Sequence, residues 1–298
     1  MAEERSIVPG ALVGERFELE RLAGSGGMGE VYRARDLRAG VPVAVKFLRH
    51  SSDSFAARFE REARALAQFT HPGIVRYVAH GTHPSVFLAM EWLEGEDLAR
   101  RLARGALSIT EALGLASKIA DALAAAHARD IVHRDIKPSN IFLSDGRIEE
   151  PKLLDFGVAQ LAKSTYAITG TGQLVGTLGY MAPEQAKSGR SVTPAADVFS
   201  LGCVLFECIT GQPPFTGEWA EVLSKIIMSD PPRLRERMRD APHAVEELVA
   251  RMLRKDPATR ASLASVAADL ASFLTAGTMR PEGDVADGGA LPAVTGDA

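Results

Sequence analysis

The apolar residues of this chain change period near residue 94, and side chains that alternate along a segment cannot pack like side chains that recur every three or four positions. From Phe17 to Leu93 the pattern is that of strands. Short β-prone runs occur at Phe17–Ala23, Glu30–Arg35, Val41–Leu48, Ile74–Ala79 and Ser85–Trp92, most of them separated by turn residues. One interruption is helical: Phe55, Phe59, Ala63, Leu66 and Ala67 predict a helix over Ser54–Phe69. From about Gly95 the helical period takes over, and Ile109, Ala112, Leu113, Ala116, Ile119, Ala120 and Leu123 form one long stripe. The expected class is α+β in two lobes, a five-stranded antiparallel sheet with one helix over 17–93 and a mainly α lobe over 94–274. A chain of 298 residues is large for a single core, so two lobes sharing a cleft are expected. Residues 1–16 read as an N-terminal extension, and 275–298, rich in Gly, Pro, Ala and Asp without a period, as a disordered tail or linker.

Composition excludes several classes. With 46% apolar and 24% charged residues the chain is far from a disordered one, and its net charge of -4 argues against a nucleic-acid partner. Cys203 and Cys208 fall in one apolar helical segment and point to different faces, so they read as buried thiols; no disulfide framework or zinc set is available. His50, His80, His83, His127 and His243 show no metal-ligand spacing and read as ordinary surface or core histidines. Met1–Arg5 lacks the apolar run of a signal peptide. The longest apolar stretch, Leu201–Ile209, is interrupted by Gly202 and Glu207 and falls far short of the ~20 residues that span a bilayer. The expectation is a cytoplasmic protein without a membrane segment.

Three stretches carry chemistry. His133-Arg-Asp-Ile-Lys-Pro-Ser-Asn140 lies between the end of a helix, near Arg129, and short apolar runs, which predicts a loop followed by a small hairpin. It offers the carboxylate of Asp135 to take a hydroxyl proton, the ammonium of Lys137 to neutralise a phosphate oxygen, and the amide of Asn140 to hold a magnesium ion. Gly24-Ser-Gly-Gly-Met-Gly29 is followed by a strand-like Val31–Ala34 rather than a helix, so the glycines belong to a hairpin and not to a dinucleotide fold. Such a turn can lay its backbone N–H groups over phosphates. In Val43-Ala-Val-Lys46 a lysine sits inside an apolar strand, where an ammonium needs an acidic partner; Glu60 and Glu62 are the candidates, Glu62 preferred.

Taken in order, these motifs resemble those of eukaryotic-like bacterial protein Ser/Thr kinases over roughly Phe17–Leu274. The glycine loop, Val43–Lys46, Glu62, His71-Pro-Gly-Ile-Val75, His133–Asn140, Asp155-Phe-Gly157, Ala182-Pro-Glu184, Asp197 with Gly202, and Arg260 stand in family order. Phe199, where many relatives carry Trp or Tyr, is a departure that keeps an aromatic surface. No catalytic position is missing, which speaks against a pseudokinase, and the Ala182–Glu184 segment speaks against a small-molecule phosphotransferase.

The resemblance implies a two-lobed kinase fold that binds ATP with Mg2+, or Mn2+ in its place, and transfers the γ-phosphoryl group to Ser or Thr of a protein substrate. Gly24, Ser25, Gly26, Gly27, Met28 and Gly29 would cover the phosphates, with Val31, Ala44 and Phe142 around the nucleotide, Met90 as gatekeeper and Glu91–Leu93 as hinge. Lys46 would hold the α- and β-phosphates with Glu62 orienting it, Asp155 and Asn140 would hold metal, Asp135 would deprotonate the substrate hydroxyl, and Lys137 would neutralise charge on the transferred group. Glu184 and Arg260 resemble the pair that pins the activation segment. His133, Phe156 and Leu66 resemble an apolar column linking the lobes, and Asp197 a carboxylate that accepts from the catalytic loop. Thr169 and Thr171 stand in a hydroxyl-rich run and are expected autophosphorylation sites that dock on Arg134, with a transient dimer serving transfer in trans. Thr177 is expected to bond Asp135 and Lys137 instead.

Overall fold

Along the strand Pro42–Leu48, Val43, Val45 and Phe47 alternate with Ala44, Lys46 and Leu48, so one apolar set faces each side of the sheet. The computed structural model describes residues 8–26, 29–48, 63, 67, 69–83, 85–156, 178–187 and 192–276. The small lobe holds β1 (Leu12–Val13), β2 (Phe17–Gly26), β3 (Gly29–Asp36), β4 (Pro42–Leu48), β5 (Tyr77–Gly81) and β6 (Phe87–Glu91). They form one antiparallel sheet in the order β1-β2-β3-β4-β6-β5. All five expected strands are present. The sixth, β1, is added from the stretch expected to be an extension, because Val13 is buried beside Phe17 and Leu19. Val43, Val45 and Phe47 pack with Phe17, Tyr32 and Phe87 on one face, and Leu48 with Leu88, Met90 and Ala63 on the other. The helix expected over Ser54–Phe69 falls largely outside the described residues.

One ion pair ties the far end of the sheet. Arg16 donates from Nε and Nη2 to the two oxygens of Asp36 at 2.9 and 2.7 Å, and Arg38 N and Ala39 N donate to the same carboxylate. The guanidinium beside it holds the Asp36 carboxyl down at about 2.

The large lobe begins with β7 (Gly95–Asp97) and α1 (Leu98–Leu102), followed by α2 (Ile109–His127). A capping box starts α2: Ser108 Oγ accepts from Glu111 N while the Glu111 carboxylate accepts from Ser108 N. β8 (Ile141–Ser144) and β9 (Pro151–Leu153) make a small sheet with β7, and α3 (Pro183–Lys187), α4 (Pro194–Thr210), α5 (Trp219–Met228), α6 (Leu234–Arg237), α7 (His243–Met252) and α8 (Leu263–Thr275) complete the lobe. Pro194 opens α4, and Gly211 closes it at φ 78. Between them thirteen residues, Ala196–Phe206 with Cys208 and Ile209, are buried, which makes α4 the central rod of the lobe. Gly202 lets α7 come close: a Cβ there would lie 2.9 Å from Met252 Cβ. Cys203 and Cys208 are buried and free, and burial pushes both thiols up.

The lobes touch away from the connecting chain as well. Val75 N donates to Leu153 O at 3.0 Å and Leu153 N to Gly73 O at 2.8 Å, so the segment before β5 is laced to β9. Among the described residues no helix is long and apolar enough to cross a membrane.

Candidate active site

After α2 ends, residues 133–140 run as a loop into a single 3-10 turn, Pro138–Asn140, and then into the hairpin of β8 and β9, as the sequence predicts. Much of the loop is held by hydrogen bonds. Asp197, fully buried in the first turn of α4, accepts from His133 N at 2.8 Å on Oδ2 and from Arg134 N at 2.7 Å on Oδ1. The Arg134 carbonyl accepts from Gln185 Nε2 at 2.9 Å. Arg134 thereby keeps φ at 67, a conformation a non-glycine residue adopts only when its surroundings impose it. His133 is buried with its ring against Phe156, centroids 4.5 Å apart; Nε2 donates to Leu154 O and Nδ1 accepts from Asp135 N. That fixes the tautomer of the ring and makes His133 a strut between residues 135 and 154.

Asp135 Oδ2 lies 3.0 Å from both Asn140 Nδ2 and Lys137 Nζ, and Asn140 Nδ2 also donates to the Asp135 carbonyl at 2.7 Å. With its NH2 group so used, Asn140 presents its oxygen, the atom a hard cation takes. The second such oxygen donor is Asp155, whose backbone is also left-handed, at φ 59. Its Oδ2 sits 2.5 Å from Lys46 Nζ, so strand β4 reaches the start of the Asp155-Phe-Gly157 stretch through one ion pair. Lys46 does find the acidic partner that its burial demands. Among the described residues that partner is Asp155; Glu62, Gly27, Met28, Leu66, Thr169, Thr171 and Thr177 lie outside them.

The nucleotide-facing candidates converge through sheet register. Gly24 pairs with Val31, Val31 with Lys46, and Ala44 with Met90, so four strands bring these positions to one region. Gly29, at φ 145, is required by the fold itself: a Cβ would fall 1.7 Å from Phe47 O. At Gly24 and Gly26 a Cβ would meet nothing within 4 Å, so packing does not demand glycine there. Bare backbone at those two positions would let the hairpin approach a phosphate closely. Met90 is buried and borders a small cavity with Phe69, Ile74, Tyr77, Leu88, Asp155 and Phe156. On β8, Ile141 and Leu143 enter the core, which turns Phe142 to the opposite face.

The Glu91 side chain turns away from the nucleotide-facing candidates. Its side chain does not serve the cleft: Oε1 accepts from Arg76 N at 2.9 Å and pairs with Lys152 Nζ of β9 at 2.5 Å. The hinge expected at Glu91–Leu93 would use its backbone. Next to it, Trp92 lies under two guanidinium groups, Arg21 at 5.4 Å and Arg33 at 5.6 Å, and donates from Nε1 to Glu94. Glu184 and Arg260 form a two-pronged ion pair at 2.7 and 3.0 Å.

Three residues escape sequence reasoning. Gln185 acts through a contact 51 positions away, and its amide also accepts from Ala182 N. Trp92 falls inside the Glu91–Leu93 stretch expected as hinge, but its place under Arg21 and Arg33 has no local signal. His127, read as ordinary, has Nε2 2.8 Å from Asp197 Oδ2; its place in the last turn of a helix, six residues before His133, is the one local hint.

Comparison with known proteins agrees with this geometry. The protein kinase domain family matches residues 17–270. The serine/threonine-protein kinase PknA of Mycobacterium tuberculosis is 40% identical over 284 residues, 91% of this chain and 64% of PknA. PrkC of Bacillus subtilis is 37% identical over 255 residues, 83% of this chain and 39% of PrkC, so the chain spans only part of the length of these relatives. A crystal structure of Rad53 in complex with AMP-PNP superposes with a TM-score of 0.70 at 25% identity, covering 85% of this chain and 64% of that one. The chain belongs to the protein kinase family.

Proposed function

We propose that this protein is an ATP-dependent serine/threonine kinase whose catalytic domain is 17–274, with its nucleotide between the lobes 17–93 and 94–274. The observation that carries the reading is the fastening of Asp135: its carboxylate is held by Lys137 and Asn140 on a loop whose backbone is pinned by Asp197. A base so held can meet a hydroxyl without reorganising. ATP with Mg2+ would supply the γ-phosphoryl group. Asn140 and Asp155 supply the oxygen donors for the metal, Lys46 the positive charge for the α- and β-phosphates, and the Gly24–Gly29 hairpin the covering backbone. Asp135 receives the proton of a substrate Ser or Thr, while Lys137 beside it offsets charge on the transferred group.

The same reading includes activation by phosphate on Thr171, with Thr169 second. Arg134 supports it: its Nε is buried and lacks a hydrogen-bond partner among the described residues, and a guanidinium grips phosphate with two parallel bonds. A transient dimer would deliver the phosphate in trans. The catalytic domain is placed in the cytoplasm, where ATP is at hand.

Incubation of the purified protein with labelled ATP and a generic basic protein, with Asp135→Asn alongside, tests the whole scheme. Transfer by the parent and none by the variant is expected, with phosphate on Thr171 and Thr169 by mass spectrometry. Equal transfer by both proteins would refute the role of Asp135.

A further inference from the structure

Lys255 is a half-buried ammonium that the phosphoryl-transfer scheme does not use. It stands between α7 and α8, and among the described residues no carboxylate lies within ion-pair distance of it. Burial pushes its pKa down to about 8. An ammonium taken out of water costs stability unless other groups replace the water. Two kinds of group do so here. Nζ donates to Lys225 O at 3.0 Å and to Ile226 O at 2.7 Å, both near the C-terminal end of α5. That end of a helix carries unpaired carbonyls and the negative pole of its dipole, so a cation is favoured there. Nζ also lies 4.3 Å from the centroid of the Phe215 ring and 5.8 Å from that of Phe199. The two rings are parallel to within 5°, with centroids 6.1 Å apart.

From this arrangement we infer that Lys255 is a positioning residue for the protein substrate: through Phe215 it fixes α5 against the segment Leu178–Ala182, which borders the catalytic loop. The inference rests on the reading of this protein as a kinase that phosphorylates proteins. Each link is a contact. Phe215 stands just before α5, so Lys255 grips that helix at its approach and again at its last turn. The Phe215 backbone in turn lies against the segment: at Gly179 a Cβ would fall 3.1 Å from Phe215 O. Three residues on, Ala182 N donates to Gln185 Oε1, and Gln185 Nε2 donates to the Arg134 carbonyl, next to Asp135. A polypeptide that brings its hydroxyl to Asp135 therefore passes this segment. Phe199 carries the other half of the stack, with the Arg260 guanidinium 5.1 Å from its ring. Arg260 grips Glu184 of α3, so two cations fasten α5 and α3 to the same pair of rings.

Removing the ammonium frees the last turn of α5 and one face of the Phe215 ring, and the segment at Gly179 then samples other positions. Apparent affinity falls with the fraction of molecules whose binding surface is in place. The effect belongs on protein binding and not on the chemical step, because the contacts of Lys255 reach neither Asp135 nor the residues that hold it. In the full chain, Lys255→Met is expected to raise KM for a generic basic protein roughly tenfold, with kcat and KM for ATP within about threefold of the parent. Lys255→Arg keeps a cation that can donate to both carbonyls and stack on the ring, and should bring KM back to within about threefold. Amide hydrogen exchange across 219–228 should quicken in Lys255→Met while that of α4 stays at the parent's rate. Should the methionine variant not fold, Lys255→Gln takes its place, since its amide is uncharged and can still donate.

An unchanged KM for the basic protein in the chargeless variant overturns the inference. So does a fall in kcat at constant KM, and so does an equal loss in the chargeless and Arg variants, which would assign the effect to packing of the lysine stem. Exchange in α5 at the parent's rate overturns it as well. Asp135→Asn is measured in parallel. If the parent transfers no phosphate to protein, or Asp135→Asn transfers it as fast as the parent, the kinase reading falls and this inference with it; if transfer needs Asp135 but KM for the basic protein ignores Lys255, this inference falls alone.

Discussion

Removing the Arg260 side chain tests how much one buried cation supports. Its guanidinium has five N–H donors, and all five are placed: Nε on Arg254 O at 2.8 Å, Nη1 on Glu184 Oε1 and Ala195 O, both at 2.7 Å, and Nη2 on Glu184 Oε2 and Lys255 O at 3.0 and 3.1 Å. The side chain is fully buried, and its plane packs over the Phe199 ring at 5.1 Å. Arg260→Ala therefore strands one mostly buried carboxylate and three carbonyls together. Breaking a buried pair by removing one member costs about 3–5 kcal/mol, against a total stability of about 5–15 kcal/mol for a typical domain. For a chain of this size that is a fall in Tm of very roughly 6–20 °C at ~2–4 °C per kcal/mol. Urea denaturation of parent and variant measures it, and transfer activity should fall as well, since α3, which carries Glu184, also carries Gln185, the donor to the Arg134 carbonyl. A second arm checks the cause: Glu184→Leu combined with Arg260→Met removes both charges, and should be less destabilised than Arg260→Ala alone. A loss below about 1 kcal/mol for Arg260→Ala would mean that water replaces the guanidinium at little cost, and the buried-pair reasoning would be wrong.

Lys46→Met is expected to abolish phosphate transfer while lowering Tm only slightly, because the apolar stem still fills the strand site; activity within about threefold of the parent would count against the assigned role. Asp155→Asn removes a full charge from the metal donor set, so nucleotide affinity measured with Mg2+ should drop more than affinity measured in EDTA, and equal losses would contradict it. The Arg16–Asp36 pair predicts a pH signature. The Asp36 carboxyl, held at about 2, lies below its unfolded value of about 3.9, so the pair's stabilisation is complete above that value and is lost as pH falls toward 2. The stability gap between the parent and Arg16→Met, read from urea curves between pH 6 and 3, should narrow toward the acid end; a constant gap would refute the linkage.

What the sequence makes legible follows from range. The hairpin of glycines is readable because its strand partners lie next to it, and Lys46 because an ammonium in an apolar strand is out of place wherever the strand goes. Its contact with Asp155 is not readable, since 109 residues separate the two and only the folded sheet brings them together. The same holds for His127 and Asp197, whose meeting depends on how α2 packs against α4. Glu91 illustrates a different limit. The resemblance implies its place in a hinge, but the direction of its side chain is set by Arg76 N, just before β5, and by Lys152 on β9 of the other sheet. The strand Leu12–Val13 is too short to show any period, and the burial of Val13 becomes visible only against Phe17.

The lacing of Gly73–Val75 to Leu153 has a mechanical consequence when set beside the bracket that Glu91 makes with Lys152. With the Lys46–Asp155 pair as a further tie, these fastenings lie to one side of the sheet, and a body so held turns most easily about a line near them. Met90 adjoins one of them. The tip of the β2–β3 hairpin does not: Gly29 pairs with Leu48 and Met90 with Ala44, four residues along the same strand, or about 13 Å at the rise of a β-strand, and two strand spacings further out. A small swing that barely shifts Met90 sweeps Gly29 through a much longer arc. A turn of the small lobe on these fastenings would therefore move the Gly29 end of the sheet much further than the Met90 end.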